Sequence, residues 1–300
     1  MSIGALPLLL IAASSLSSSG FDLSRKLLGR HLKPLPMVFL LTLASAPLFA
    51  AAVAFDGGAR IVPAYYPPAT ASLLLNIVAN LAFIQSVRIA PLSLTVPLLS
   101  LTPAFTTVLG FLVLGERPAA GAWLGIALVV AGAFWLHWAG GGAAAAGEGA
   151  RRPSRRLAAL AVHPGAWLMA TTALLWSLTI PLDKLAIGRA TAPFHGLFLM
   201  VGGALGTFAI LVATGRLGEV RGIRGAWAPF ATALVASTLD LGFQLAAIRL
   251  VLVSVVETLK RGLGNLLAVA LGRLVFGEAM TWQKVAAAVL MAAGVALILL

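Results

Sequence analysis

Long uncharged stretches follow one another along this chain of 300 residues, and they constrain its fold more than any other feature. A helix of about 20 apolar residues is long enough to cross the roughly 30 Å hydrocarbon core of a bilayer. Ten stretches qualify, although nine spans remain possible because the ends of predicted spans are uncertain. Seven uncharged stretches cover residues 1–21, 34–55, 61–87, 89–115, 118–147, 157–182 and 190–215. Three further apolar segments, at 226–248, 251–275 and 282–300, are interrupted by single charges.

The composition supports a membrane protein. Hydrophobic residues make up 60% of the chain and charged residues 10%, whereas soluble domains carry about 25% charged residues. The first stretch has no basic segment before it and no signal-peptide cleavage pattern, so we interpret it as a span. The absence of cysteine excludes disulfides, thiol catalysis and cysteine-based metal sites.

The chain repeats itself. Residues 21–30 return in shortened form at 182–189, and the motif ending in Glu116 returns 162 positions later, ending in Glu278. This period is too long for a solenoid and indicates a duplicated unit. Five spans per copy would insert the copies with opposite orientations. We therefore predict an all-α integral membrane protein of about ten transmembrane helices. It would comprise two five-helix inverted repeats at 1–139 and 165–300, joined by a linker at 140–164.

The net charge of +12 comes from short loops between spans, which is typical of topology determinants rather than of nucleic-acid binding. Loops after the odd-numbered spans carry most of the lysines and arginines, which predicts that those loops are cytoplasmic and both termini outside. The linker joins a Gly/Ala-rich segment to an arginine cluster at 151–156. We favour a topology anchor for this cluster, with a lipid-headgroup site as the alternative.

Pro97-Leu-Leu-Ser-Leu-Thr-Pro103 is followed by Leu-Gly-Glu116-Arg-Pro and by an apolar run from Gly125 to Gly132, and the pattern returns more loosely through Glu278 and Gly294. These motifs resemble those of EamA-type proteins of the drug/metabolite transporter superfamily. The resemblance implies a bundle that moves small metabolites by alternating access in the bacterial inner membrane. It implies a small-molecule solute and membrane lipid as partners, no nucleic acid, no cofactor or metal, and a monomer or homodimer. Such proteins are usually drawn with both termini cytoplasmic, the reverse of the charge-based prediction.

The strongest candidate site lies in the ninth span. Charges within spans cost about 2.5–3.5 kcal/mol each on insertion scales, so they are functional candidates. Glu257, Arg261 and Asn265 share one helix face, with Lys260 beside them. A surplus cation there would suit an anionic or zwitterionic solute. The alternatives are a neutralised structural network or an interfacial cluster with snorkelling cations.

Further polar residues extend this candidate site. Asp240 and Gln244 in the eighth span and Asn76 and Asn80 in the third are expected, from the family resemblance, to line the central cavity. Asp240 could exchange a proton or balance the charge of the ninth span, and a purely structural bond is equally compatible with the sequence. Trp176 could line the cavity, although packing is the favoured interpretation.

Prolines and glycines predict special helix geometry. Pro97, Pro103 and Pro181 would kink or interrupt spans, as is common around transporter cavities. The pairs Gly121/Gly125 and Gly202/Gly206 predict close helix contacts, either within the bundle or between protomers.

Charged residues near the span ends have structural interpretations. Glu116 and Glu278 would each cap the N-terminus of the following helix. Asp22 and Asp183 would form interfacial ion pairs with the basic residues that follow them, and gating is the alternative role.

The sequence favours transport over catalysis. Histidines 31, 137, 163 and 195 are scattered, and no metal, P-loop or dinucleotide motif occurs. We therefore predict that the chain is not an enzyme. The predicted function is secondary active transport of a small polar metabolite, amino-acid-like or phosphorylated. The alternative is a flippase for a lipid or lipid-linked substrate.

Overall fold

The computed structural model describes residues 4–58, 61–90, 98–140, 163–274 and 281–299. These ranges are helical because a bilayer offers no hydrogen-bond partners to the backbone, and a helix satisfies its own N–H and C=O groups. The α-helices are α1 (Ala5–Leu28), α2 (Pro34–Phe55), α3 (Tyr66–Ile89), α4 (Thr102–Leu114), α5 (Ala120–Gly140), α6 (Pro164–Ile187), α7 (Ala192–Ala213), α8 (Trp227–Leu250), α9 (Val253–Leu274) and α10 (Trp282–Leu299). Short 3₁₀ helices occupy Pro63–Tyr65 and Leu217–Gly225.

The all-helical fold class is confirmed within the described ranges, whereas the number of spans is not. By length and hydropathy, six of these helices could cross a membrane, namely α1 (over Ala5–Arg25), α2, α6, α7, α8 and α10. Thr102–Leu114 and Ala120–Leu136 are shorter apolar helices. The count of ten spans and the domain boundaries at 139 and 165 therefore remain predictions.

Two compact units divide the chain, and each combines segments from both halves of the sequence. Unit 1 comprises Met1–Gly4, Val78–Pro181 and Leu252–Leu300, and unit 2 comprises Ala5–Ile77 and Leu182–Val251. In unit 2, α1 packs against α8 and α2 against α7. In unit 1, α5 packs against α10, and α9 contacts α4, α5 and α10.

Glycines set the close approach of α5 and α10 in unit 1. A Cβ atom on either Gly125 or Gly294 would lie 2.6 Å from the carbonyl oxygen of the other residue. In unit 2, Gly202 and Gly206 on α7 face the side chains of Leu73 and Ile77 on α3. Gly125, Gly202 and Gly206 thus each approach another helix of the same chain closely. This is the contact within the bundle that the sequence offered as one of two alternatives.

The three predicted helix-breaking prolines have different placements. Pro103 lies in the first turn of α4, so it begins a helix and does not kink one. Proline is tolerated there because the N–H groups of a first turn have no intrahelical partner. Pro181 lies inside α6, as predicted, and the interior proline Pro47 of α2 was not singled out from the sequence. Pro97 lies outside the described residues.

Candidate functional site

One face of α9 carries the charged residues that the sequence singled out. Arg261 Nη2 donates a hydrogen bond to Glu257 Oε1 at 3.2 Å, one helical turn away. The Glu257 side chain is 8% exposed and that of Arg261 is 31% exposed, so the carboxylate is buried while the guanidinium is partly open. Ser254, Arg261 and Asn265 are spaced at i, i+7 and i+11 and therefore share this face.

A carboxylate from another helix fixes the beginning of α9. Gly115 ends α4 in a left-handed conformation with φ 68°, and the next residue, Glu116, accepts a hydrogen bond from Val253 N at 2.9 Å. A negative charge at a helix N-terminus satisfies an unpaired N–H and favours the helix dipole. Glu116 therefore caps α9, a contact that the sequence did not predict, and its predicted role as the cap of the following helix stays a prediction. Its counterpart Glu278 lies outside the described residues.

The C-terminal end of α4 consequently meets the N-terminal end of α9, and the two packed helices run antiparallel. Gly110 faces Val253, since a Cβ atom at Gly110 would lie 2.8 Å from Val253 Cγ2. One turn back along α4 is Thr106, and one turn forward along α9 is Glu257. The hydroxyl of Thr106 and the charged face of α9 therefore lie at similar levels of this helix pair.

Four buried polar atoms in unit 1 have no hydrogen-bond partner within the described protein: Thr106 Oγ1, Ser254 Oγ, Arg261 Nε and Asn265 Nδ2. Three of them belong to one face of α9, and the fourth is on α4, which packs against α9. Leaving such a group unpaired costs about 1–3 kcal/mol. Their grouping on two contacting helices is the arrangement expected where a polar ligand binds.

Aromatic side chains pack between α4 and the neighbouring helices α3 and α6 in unit 1. The rings of Trp176 on α6 and Phe83 on α3 are 5.5 Å apart, and both pack with Phe105 of α4 on a core formed by Leu99, Met169 and Ala173. Ser177 Oγ donates to the Thr102 carbonyl at 3.1 Å and ties α6 to α4. Trp176 therefore packs against Phe83 and Phe105, and its alternative role in lining a cavity stays a prediction.

The remaining predicted site residues are distributed over both units. Unit 1 contains Asn80 and Lys260, and unit 2 contains Asn76, Asp240 and Gln244. All five make polar interactions. Those of Asp240 include hydrogen bonds from Ser14 Oγ on α1, at 2.6 Å to the carboxylate and 3.3 Å to the backbone carbonyl. The role of Asp240 as a proton-exchanging group or counter-charge remains a prediction.

A buried polar chain in unit 2 was not identified from the sequence. Tyr65 Oη lies 3.0 Å from His195 Nδ1, and His195 Nε2 lies 3.0 Å from Asp183 Oδ1. Ser72 Oγ donates a hydrogen bond to the same Asp183 oxygen. Tyr65, Ser72 and His195 are 0% exposed and Asp183 is 4% exposed. We call these four residues the buried chain.

The buried chain corrects two interpretations of the sequence. Asp183 does not form the predicted interfacial pair with Lys184, because its carboxylate points to His195 and Ser72 while Lys184 Nζ donates to the Val251 carbonyl at 2.7 Å. His195, at the beginning of α7, is not isolated, because Tyr65 and Asp183 lie within hydrogen-bond distance of its two ring nitrogens. The only local signal was the spacing of 12 residues between Asp183 and His195, and the other two partners come from distant α3 and its preceding turn.

Within the described ranges, no three His, Asp or Glu side chains are grouped so that they could hold a metal ion. The arginine cluster at 151–156 and most of the predicted linker lie outside those ranges.

Comparison with known proteins places these features in a family. The model of the EamA-like transporter family matches residues 5–138 and again residues 163–300. A crystal structure, described only as that of a protein, is similar with a TM-score of 0.75 at 17% sequence identity. The similarity covers 97% of this chain and 95% of that one, and it supports the fold alone. No curated protein matches the sequence.

Proposed function

Because this chain belongs to the EamA-like transporter family, and is therefore a multi-pass membrane protein, we propose that it is a secondary active transporter of a small anionic or zwitterionic metabolite. Alternating access would move the solute across the membrane. The observation that carries the proposal is the set of four unpartnered buried polar atoms beside the Glu257–Arg261 pair.

The chemistry of these atoms favours a solute with an oxyanion. Arg261 Nε and Asn265 Nδ2 are hydrogen-bond donors only. Carboxylate and phosphate oxygens accept strongly from such donors, and the guanidinium group suits their planar geometry. The hydroxyls of Ser254 and Thr106 can donate or accept. Glu257 supplies a carboxylate that could bind an ammonium group, so an amino-acid-like zwitterion would match both charges.

A purely structural network explains these contacts less well. A buried structural network is stable only when all its members are paired, because a half-satisfied network costs more than an apolar core. Here the Glu257–Arg261 pair is made, while Arg261 Nε and Asn265 Nδ2 have no partner among the described residues. This incomplete pairing supports a site that a solute completes.

The test uses the full chain reconstituted in liposomes. L-Serine, succinate and sn-glycerol 3-phosphate serve as probes, first for thermal stabilisation and then for counterflow of the radiolabelled solute. Arg261→Ala should weaken binding and flux at least tenfold, since a hydrogen bond to a charged group contributes about 1.5–3 kcal/mol. The matched control is Arg249→Ala, which removes an exposed arginine from the last turn of α8.

Two outcomes would contradict the proposal. Wild-type flux in the Arg261→Ala variant would remove α9 from solute recognition. Scrambling of fluorescent phospholipid without movement of any soluble probe would instead support the flippase alternative.

A further inference from the structure

The buried chain of unit 2 has a charge that must be balanced. Of the described basic side chains, only His195 is paired with Asp183. An ionised carboxylate beside a neutral imidazole would leave one uncompensated negative charge in a buried site, which is strongly unfavourable. The pair is neutral when it holds one proton more, either as carboxylate with imidazolium or as carboxylic acid with imidazole. The form that holds this proton leaves no net charge on the buried Asp183–His195 pair.

Hydroxyl groups at both ends allow the chain to tolerate a change of protonation. The Tyr65 hydroxyl can donate to a neutral His195 Nδ1 or accept from a protonated one, at the observed 3.0 Å. Ser72 donates to Asp183 whichever group carries the proton. The contacts of the chain thus hold in either form, and the proton can move between Asp183 and His195 without rearrangement.

Three polar side chains near the buried chain make other contacts. Arg189, in the turn between α6 and α7, donates to the Ala64 carbonyl at 2.9 Å, and Lys184 donates to the Val251 carbonyl at 2.7 Å. The Tyr66 ring contacts the edge of the Tyr65 ring. Besides His195, α7 presents the apolar rings of Phe194 and Phe198 to Tyr65.

The buried chain also lies near the ends of three helical elements. Tyr65 closes the 3₁₀ turn before α3, Asp183 is near the C-terminal end of α6, and His195 is in the first turns of α7. The backbone of Val62 donates to the Arg189 carbonyl at 3.2 Å and links the two turns. Separation of these helix ends would expose Asp183 and His195 to water.

We propose that Asp183 and His195 form a proton-binding site that couples solute movement to a proton gradient. The site holds one proton while it is buried and releases it to water when the ends of α3, α6 and α7 separate, leaving a solvated carboxylate and a neutral imidazole. This inference rests on the transport function proposed above. It places the coupling proton in unit 2, whereas the proposed solute contacts on α4 and α9 lie in unit 1.

The experiment uses the full chain in liposomes loaded with the pH indicator pyranine, with the membrane potential clamped by valinomycin and potassium. L-Serine, succinate and sn-glycerol 3-phosphate are the probes, and lumenal pH is followed during net uptake. Counterflow of the same radiolabelled probe at equal pH is measured in parallel, because solute exchange requires no net proton transfer. Asp183→Asn and His195→Gln should each reduce the proton signal at least tenfold while counterflow continues. Asp56→Asn, at the exposed end of α2, is the matched control and should preserve both signals.

Each other result has a defined meaning. A wild-type protein that moves a probe without a proton signal overturns the coupling inference and leaves the transport function intact. A wild-type protein that moves no probe overturns the transport function and the inference with it. A normal proton signal in Asp183→Asn and His195→Gln overturns the inference. Loss of the signal in Asp240→Asn but not in these variants would transfer the proton to Asp240. Loss of counterflow in both variants would contradict a role confined to coupling.

Discussion

The contact between Gly125 and Gly294 predicts a large difference between two chemically identical substitutions on α5. A methyl group at Gly125 would lie 2.6 Å from the Gly294 carbonyl oxygen and 2.6 Å from Ile298 Cγ1, so two helix backbones would have to separate. A methyl group at Gly121, one turn earlier, would be 3.8 Å from the Leu297 carbonyl oxygen, which is an ordinary contact.

The magnitude follows from two opposing terms. Replacing a helical glycine with alanine gains up to about 1 kcal/mol of helix propensity at either position. Overpacking at Gly125 costs about 1–3 kcal/mol, because the colliding carbonyl belongs to the backbone and cannot change rotamer. The propensity gain cancels in the comparison, so Gly125→Ala should be about 1–3 kcal/mol less stable than Gly121→Ala.

The assay is equilibrium unfolding of the full chain in mixed micelles of increasing SDS content, followed by tryptophan fluorescence and circular dichroism. Gly294→Ala should match Gly125→Ala because the contact is reciprocal. The double variant should lose less stability than the sum of the single ones, since the first methyl group already separates the helices. Equal stability of Gly121→Ala and Gly125→Ala would refute the close approach of α5 and α10.

Three further predictions concern other contacts. Hydrogen bonds from Arg216 and then Lys33 lower the pKa of Glu219 below its ordinary value of 4.5. Their stabilisation is therefore present above pH 4.5 and lost as the pH falls through the lowered pKa, so the difference in melting temperature between wild type and Glu219→Gln should vanish in acid. Glu116→Ala should cost about 0.5–2 kcal/mol and speed amide exchange at Val253, whereas Glu116→Gln, which keeps an acceptor, should not. A C-terminal alkaline phosphatase fusion should be active, because the basic loops predict external termini, and activity of a cytoplasm-only reporter there would contradict that orientation.

The sequence predicted helix positions well where apolar stretches end at clear signals. The predicted stretch 34–55 coincides with α2, because Lys33 and Asp56 flank an uncharged segment with Pro34 at its start. Near Pro103 the signal was ambiguous. A proline in an apolar run fits both an interior kink and a first turn, and only the helix boundary distinguishes them.

Side-chain partners across helices could not be predicted in the same way. Glu116 had a recognisable capping function, but its target, Val253, is 137 residues away and depends on which helix ends adjoin it. The buried chain likewise brings Tyr65 to His195 across 130 residues. Such contacts depend on which helices are neighbours, and hydropathy carries no information about that.

The pattern of neighbours follows from the duplication once both copies are compared. Exchanging the copies maps α1 to α6, α3 to α8 and α4 to α9. Helices at equivalent positions of the two copies, such as α4 and α9, pack on each other. The packed pair α1–α8 has its counterpart in the pair α3–α6. Helices α3 and α6 are joined by the hydrogen bond between Ser72 and Asp183 in unit 2 and by that from Thr172 to the Ala79 carbonyl in unit 1.

The charged face of α9 breaks this symmetry. Within the described ranges, α4 carries no charged residue, while its equivalent α9 carries Glu257, Lys260 and Arg261. A second set of charges on α4 would add about 2.5–3.5 kcal/mol of insertion cost for each residue. A hydroxyl such as that of Thr106 avoids this cost and still offers a hydrogen bond. The duplicated scaffold thus presents charge from one helix and neutral polar groups from its equivalent. In the proposed transport function, this asymmetry would bind the charged group of a solute in one defined orientation.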